Sequence, residues 1–305
     1  MVNKQNYLTV DEIATLWNIS ERSVRNYCAE GRVQGAVCRG GIWQIPADAK
    51  KPERANQKDE PTLTLLDILR RENKLQIKGG IYHQVQIDLT YNSNHIEGSR
   101  LTEDQTRYIF ETHTVGALAK YEGIRTDDIV ETSNHFRCID YIIDNANRKV
   151  NEHMIKRLHF ILKNGTSDSL LDWFNVGQYK KMPNTVGGLE TTPPEKVADE
   201  MRALIKRYQA RKVLDLQDLL EFHYQFERIH PFQDGNGRVG RLILFKECLR
   251  LNIIPFIIDE ELKLFYYRGL KEWKTEPGYL LDTCRAGQDK FRKLLEYYRI
   301  SPGRE

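Results

Sequence analysis

Cysteine is scarce in this chain: five in 305 residues, at positions 28, 38, 138, 248 and 284, odd in number and without a C-x-x-C pair. A disulfide scaffold and a cysteine-held zinc site are both disfavoured. Long apolar runs are also lacking, and none approaches membrane-spanning length. The opening M-V-N-K-Q-N-Y-L has no signal-peptide pattern. The expectation is a soluble, cytoplasmic protein with no membrane partner. Neither sign of charge dominates, since 46 Lys and Arg against 43 Asp and Glu leave a net +3. That is too little to indicate nucleic-acid binding by itself. No internal repeat stands out, and the length allows two domains. K-K-P-E-R-A-N-Q-K-D-E-P at 50–61 is polar, charged and proline-bounded, which reads as a linker.

What the chain does have is concentrated in residues 230–241, H-P-F-Q-D-G-N-G-R-V-G-R. Upstream, Leu216, Leu219, Leu220, Phe222, Phe226 and Ile229 recur near helical spacing behind Asp215, a plausible N-cap. Pro231 disfavours helical geometry at the residue before it, so that helix should stop at His230 and leave the imidazole on a loop rim. Downstream, Arg241, Leu242, Phe245 and Leu249 resume helical spacing, which puts Gly235, Asn236 and Gly237 at a helix N-terminus. There free backbone amides and the helix dipole favour a phosphate, and glycine lets the backbone approach it. Asp234 at the mouth of such a cradle would repel phosphate unless it held Mg²⁺, with Mn²⁺ as an alternative. Arg238 and Arg241, three apart, would share a face suited to a triphosphate. His230 is the candidate base for an attacking hydroxyl. Singly, each of these residues is an ordinary turn or surface feature; together they describe a phosphate-handling site. Phe232 is read as a core anchor without chemistry.

The dozen resembles the signature of the Fic family, H-x-F-x-[DE]-G-N-G-R-x-x-R, whose common activity is transfer of AMP from ATP to a protein hydroxyl. The resemblance implies His230 as base, Asp234 as Mg²⁺ ligand, Gly235, Asn236 and Gly237 along the phosphates, and Arg241 on the outermost phosphate. It also implies a β-hairpin flap ahead of the motif. K-M-P-N-T-V-G-G-L-E-T-T-P-P looks like that flap, with Val186, Gly187, Gly188 and Leu189 at its tip. F-Y-Y-R-G-L at 265–270 looks like the adenine-side tyrosine segment, with Tyr267 the better candidate, though Tyr266 and Tyr267 could equally be core aromatics. The asparagine that often follows is not evident around Trp273 and Lys274.

Ser93-Asn94-His95-Ile96-Glu97-Gly98 matches the inhibitory pattern [ST]-x-x-x-E-[GN] found in many Fic proteins. Ile81, Val85, Leu89 and Ile96 would share a helical face, Ser93 and Glu97 stand one turn apart, and Gly98 is a helix stop. Such a helix would carry Glu97 to Arg241 and force ATP into an unproductive pose. The bland alternative is a glutamate in an ordinary salt bridge.

The N-terminal residues read as a second module. Thr9 with Glu12 suggests a capping box for a helix through Trp17, Asn18-Ile19 a turn, and Ser20 the cap of a second helix ending near Gly31. Gly40-Gly41 separates Ala36 to Arg39 from Ile42 to Ile45 as a small hairpin. This order resembles the winged helix-turn-helix of MerR-like or excisionase-type DNA-binding domains, which would place Arg22, Arg25 and Asn26 in the major groove and Arg39 on phosphate. The first 54 residues hold eight Lys or Arg against six Asp or Glu, so no dense basic patch exists and a docking or dimerisation role stays open.

The reading is therefore a mainly α protein. A winged helix-turn-helix domain at 1–49 precedes the linker at 50–61, a helical connector with the inhibitory helix at 62–98, and a Fic core with its flap and C-terminal helices at 99–305. The function expected is an autoinhibited protein adenylyltransferase that uses ATP and Mg²⁺ on an unknown target protein, itself included, with a homodimer as an open option. Two rivals stay open: a hydrolase removing AMP at the same site, and a DNA-binding transcriptional regulator whose Fic core senses nucleotide.

Overall fold

The computed structural model describes residues 6–40, 42–52, 63–114 and 123–304. It divides into two compact units, Met1–Thr62 and Leu63–Glu305. Among the described residues no helix is long and apolar enough to cross a membrane.

The first unit runs β1 (Tyr7–Leu8), α1 (Val10–Trp17), α2 (Glu21–Ala29), β2 (Val37–Arg39) and β3 (Ile42–Pro46). At the start of α1 the Thr9 amide donates to Glu12 Oε2 at 2.8 Å, the back-bond of a capping box. Asn18, at φ 50°, closes α1 in the left-handed region that asparagine tolerates. Ser20 Oγ then accepts the Ser23 amide and starts α2. Ile13, Trp17, Val24, Cys28, Val33 and Ile45 form the small core between helices and sheet. The antiparallel sheet has the order β1-β3-β2, with Leu8 opposite Ile45 and Arg39 opposite Ile42. Strand β1 has no counterpart in the sequence reading, because two residues before a helix cap carry no alternation to detect. Gly41 in the expected hairpin turn, and positions 53–61 of the expected linker, lie outside the described residues.

The second unit is helical: α3 (Leu65–Leu75), α4 (Ile81–Ile96), α5 (Glu103–Thr112), α6 (Thr126–Asp144) and α7 (Glu152–Lys163) come first. A 3₁₀ turn (Ser167–Leu170) and the hairpin β4 (Thr185–Val186) with β5 (Leu189–Glu190) follow. The chain then continues through α8 (Pro194–Ala210), α9 (Leu216–Ile229), α10 (Asn236–Leu251), α11 (Glu260–Glu272) and α12 (Gly278–Tyr297). Helix α10 is the axis, packed by α3, α4, α6, α7 and α9. It is buried on every side, so it shows no apolar stripe, and its polar side chains must find partners inside the protein. Leu242 and Phe245 are at most 1% exposed, and truncating either to alanine should cost about 3–5 kcal/mol. Helices α3 and α4, from the stretch read as a connector, pack into this same core: Leu69, Ile81, Val85, Leu89 and Ile96 are all buried.

Candidate active site

The site is the loop between α9 and α10. Asp215 Oδ1 accepts the Asp218 amide at 3.0 Å and starts α9. The helix ends at His230, which adopts φ 51°, ψ 64° ahead of Pro231. A left-handed conformation costs a non-glycine residue about 1–2 kcal/mol, so the surroundings must enforce it. The Lys180 amide donates to the Pro231 carbonyl at 2.9 Å. The side chain of Asn236 spans the loop, accepting from the Phe232 amide at 2.8 Å and donating to its carbonyl at 2.9 Å. The Asn236 side chain is thus a loop brace, which leaves only its backbone amide for the role expected of it. Phe232 is fully buried and stacks on His159, ring centroids 4.0 Å apart and 2° from parallel.

His159 fixes the next residue as well. Its Nδ1 accepts the Gly177 amide at 2.9 Å, so the ring proton resides on Nε2 and is donated to the Asp234 carbonyl at 3.2 Å. Burial pushes its pKa down to about 3, which keeps the ring neutral.

The Asp234 carboxylate stands against two cations, 2.7 Å from Lys163 Nζ and 3.3 Å from Arg238 Nη2. Burial alone would raise this carboxyl, but Arg238 and Lys163 hold it well below the usual carboxylate range. Lys163 also donates to Glu131 and, at 2.9 Å, to Asp168, while Arg238 bonds Glu131. The spacing rule put Arg238 beside Arg241 on a phosphate-facing side; in the structure it turns inward to α6 instead, as a buried guanidinium requires. Oxygens of Glu131, Asp168 and Asp234 lie within 4.8 Å of one another, and the Lys163 ammonium already lies among them. Three carboxylates against two cations leave one negative charge. Asp234, whose side chain is 50% exposed, presents it to solvent. One accessible carboxylate fits Mg²⁺, which takes few protein ligands and fills its remaining positions with water or phosphate oxygens.

On the opposite side of the α10 N-terminus lies Arg241, 6% exposed and gripped by the end of α4. Its Nη2 donates to Glu97 Oε1 at 2.6 Å and to the Ser93 carbonyl at 2.9 Å, and its Nε donates to Ser93 Oγ at 3.0 Å. Glu97 is the C-cap of α4, and Gly98 at φ 89° turns the chain away immediately after it. A Cβ on Gly237 would collide with Glu97 Oε1 and come within 2.9 Å of Arg241 Nη1. The carboxylate therefore lies over the first turn of α10, where Gly235, at φ 78°, is the N-cap.

His230 lies between these two flanks. Burial first, and then the charge of Lys180, push its pKa down to about 4. Its Nδ1 is buried, without a hydrogen-bond partner among the described residues, and 3.9 Å from Glu227 Oε2. Lys180 Nζ donates to Asn184 Oδ1 and Thr191 Oγ1, both at 2.6 Å, and to the Ile229 carbonyl at 3.4 Å. Asn184 in turn donates to the Phe232 carbonyl at 3.0 Å. The root of the β4-β5 hairpin is thereby tied to the His230 loop. Gly187 and Gly188 have φ of 57° and 79°, the double positive-φ pattern of a two-residue hairpin turn, and Val186 and Leu189 beside them are exposed. Tyr266 is a core residue bonded to His223 at 2.6 Å, whereas Tyr267 is 44% exposed and reaches the Ile96 carbonyl at the end of α4.

The sequence reading did not include Glu131, His159, Lys163, Lys180 or Glu227. Two of them left a signal: Lys163 continues the Ile155–His159 row of α7 and Glu227 the Leu220–His223 row of α9, and a charge on an apolar helix row must serve something inside. The sequence-predicted DNA residues lie in the other unit, with Arg22, Arg25 and Asn26 exposed on α2 and Arg39 exposed on β2.

Residues 149–247, which include the whole loop, match the model of the Fic/DOC family. Over 242 residues the chain is 26% identical to a protein adenylyltransferase Fic of Drosophila mojavensis, an alignment covering 75% of this chain and 43% of that protein. The chain spans less than half the length of the first curated relatives it matches. Among solved structures it is similar to a Fic domain containing signaling protein of Bacteroides thetaiotaomicron, at 25% identity and TM-score 0.56, covering 76% of this chain and 90% of that one. Its fold is also that of Fic-1 from C. elegans, at 18% identity and TM-score 0.60, covering 76% of this chain and 72% of that one. The α9–α10 loop thus falls inside the stretch that matches the Fic/DOC family model, and proteins named protein adenylyltransferase Fic are among those to which the chain is similar.

Proposed function

We propose that the protein is an autoinhibited adenylyltransferase that moves AMP from ATP to a Tyr, Ser or Thr hydroxyl of a protein, with itself as one candidate. One observation carries the reading: the Glu97 carboxylate rests on Arg241 and over Gly237, at the N-terminus of a helix whose amides and dipole favour an anion. The chain has placed its own anion where an outer phosphate would bind.

With Glu97 withdrawn, Arg241 takes the outermost phosphate and the amides of Gly235, Asn236 and Gly237 line the phosphate chain. His230, neutral near pH 7, accepts the proton of the attacking hydroxyl as the new O–P bond forms and the bond from the α-phosphate to pyrophosphate breaks. Asp234, backed by Lys163 and Arg238, would hold Mg²⁺ or Mn²⁺, which when bound supplies positive charge to the phosphates. The exposed strands around Val186 and Leu189 offer their backbone to an extended target segment, and Lys180 and Asn184 hold that hairpin in register with His230. Tyr267, half-exposed beside the end of α4, is the candidate for the adenine side. Hydrolysis of an AMP–protein bond would use the same groups, with Glu97, 31% exposed, holding the water.

The test is incubation of the Glu97→Gly variant with α-labelled ATP and Mg²⁺ in lysate, with Glu97→Gly/His230→Ala as control. Labelled proteins only in the first reaction support transfer. Loss of pre-formed label without new labelling supports the hydrolase instead.

For the first unit we propose a winged helix-turn-helix that binds DNA. The polar face of α2 supports this, with Arg22, Arg25 and Asn26 exposed and Arg39 on the hairpin. Arg25 pairs with Glu21 at 2.6 Å, but both are about half exposed, and such a pair contributes only ~0–1 kcal/mol, so it yields readily to phosphate.

A further inference from the structure

The reading above leaves one buried ionisable group beside the base without a task. Glu227 is in the last turn of α9, one turn before His230. Among the described residues its Oε1 is buried without a side-chain hydrogen-bond partner, and so is the Nδ1 of His230, which Glu227 Oε2 approaches to 3.9 Å. Two unsatisfied polar groups facing each other in a tight interior are costly unless they pair in some working state. Both are held in place. A Cβ on Gly240 would come within 2.6 Å of Glu227 Oε1, so the carboxyl is packed directly against α10, and the left-handed backbone of His230 fixes where the ring emerges.

We propose that Glu227 is the positioning residue for the base: its ionised carboxylate holds a proton on Nδ1 of His230, leaving Nε2 unprotonated to take the proton of the attacking hydroxyl. This rests on the adenylyl-transfer reading. At 3.9 Å the pair is just beyond hydrogen-bond length, and bonds of this kind tighten in the working complex. The tautomer of an imidazole is set by the bond its other nitrogen makes, and here Glu227 offers the ring its backbone carbonyl as well as the side chain that faces Nδ1. As the hydroxyl proton arrives at Nε2, the ring becomes a cation, and the carboxylate next to it stabilises that charge. No proton leaves the pair until product departs, so the step balances with His230 as the acceptor.

The ionisation of Glu227 then gates transfer. Burial pushes its pKa up to about 8, Arg241 on α10 opposes that rise, and Glu97 at the end of α4 adds to it. The other groups facing it are His223 and His230 on its own helix, His223 Nδ1 lying against the same face of Gly240, and Tyr266 and Tyr267 on α11. A raised carboxyl is neutral below its folded pKa, so the supporting carboxylate is present only as the pH rises toward and beyond 8. The transfer rate should climb over that range rather than near pH 4, where the imidazole itself titrates.

The experiment uses the full-length Glu97→Gly protein, at saturating ATP, across pH 5.5 to 9.5 as roughly the range that brackets both groups. Without Glu97 the rise should shift below 8 but stay well above pH 4, and adding Glu227→Gln should lower kcat about tenfold or more and abolish that rise, while KM for ATP stays unchanged because the proposal gives Glu227 no nucleotide contact. Unchanged kcat, or reduced kcat with the rise still in place, overturns the proposal. The second measurement needs neither activity nor the variant: ¹⁵N shifts of the His230 ring in the wild-type protein at pH 9 should show the Nδ1–H tautomer, and Nε2–H overturns it. Absence of any transfer by Glu97→Gly would instead count against the adenylyltransferase reading and leave the tautomer result standing.

Discussion

Replacing Glu97 with glycine should raise AMP transfer by about 10- to 100-fold. A hydrogen bond between charged partners contributes roughly 1.5–3 kcal/mol, and about 1.4 kcal/mol corresponds to a factor of ten. The contact in question is the 2.6 Å bond from Arg241 Nη2 to Glu97 Oε1. Glu97 is 31% exposed, which pulls the figure toward the lower end, while Arg241 is 6% exposed, which keeps it from vanishing. The variant should fold, because Arg241 keeps its bonds to Ser93 Oγ and the Ser93 carbonyl. The backbone at Glu97, φ −86° and ψ 9°, is one that glycine adopts without strain. A loss of about 1–2 kcal/mol in stability is expected, below the 3–5 kcal/mol typical of stranding a fully buried ion. The assay is self-labelling with α-labelled ATP by wild type, Glu97→Gly, Arg241→Ala and the double variant. Arg241→Ala should cancel the gain, because on the proposed reading the freed guanidinium holds the outer phosphate. Equal labelling by wild type and Glu97→Gly would refute the inhibitory contact. A gain that survives Arg241→Ala would mean that the side chain merely blocks the cleft.

Three other outcomes are expected. Lys180→Met should loosen the hairpin root, raising KM for the protein target and speeding amide exchange over Thr185–Glu190, with KM for ATP unaffected; unchanged exchange would remove Lys180 from that role. Stability should fall as pH drops from 6.5 toward 4, because His135, His159 and His223 are held to about 3 and His230 to about 4 by burial, so the unfolded chain binds protons the folded one refuses. Each costs about 2 kcal/mol at pH 5, partly offset by Glu227, whose raised pKa works in the opposite direction down to about 4.5, and a urea midpoint equal at pH 7 and pH 5 would contradict it. The full-length protein should enrich a duplex from a random pool at stated salt, and Arg22→Ala with Arg25→Ala should abolish the enrichment; no enrichment would favour a docking role for the first unit.

The parts of the site that could be read in the sequence are those dictated by local chemistry. Pro231 ends α9, Asp215 caps it, Gly235 takes a positive φ, and Gly187-Gly188 makes a tight hairpin turn; each is a rule about a residue and its immediate neighbours. The contact between Glu97 and Arg241 spans 144 residues. It could be anticipated only because both ends carry a recognisable pattern. The pairs that carry no pattern at either end were not visible, among them Glu131 with Arg238 across 107 residues and Lys163 with Asp234 across 71.

Helix α10 shows why spacing alone does not tell what Arg238 faces. Spacing alone puts positions three apart on neighbouring faces, and on a half-buried helix the exposed face would then be the functional one. Here there is no exposed face. A helix buried all round must satisfy each charge against a different neighbour, so Arg238 turns to Glu131 on α6 while Arg241 turns to Ser93 and Glu97 at the end of α4. The two arginines do different work for that reason: Arg238 offsets the acidic cluster around Lys163 and fixes Asp234, and Arg241 is left with a single exchangeable partner. An arginine whose other bonds go to Ser93 on one rigid helix can trade Glu97 for an incoming anion without disturbing the core. Arg238 has no such freedom: it is itself buried, and releasing Glu131 would leave its guanidinium without its main partner and the buried carboxylate with Lys163 alone.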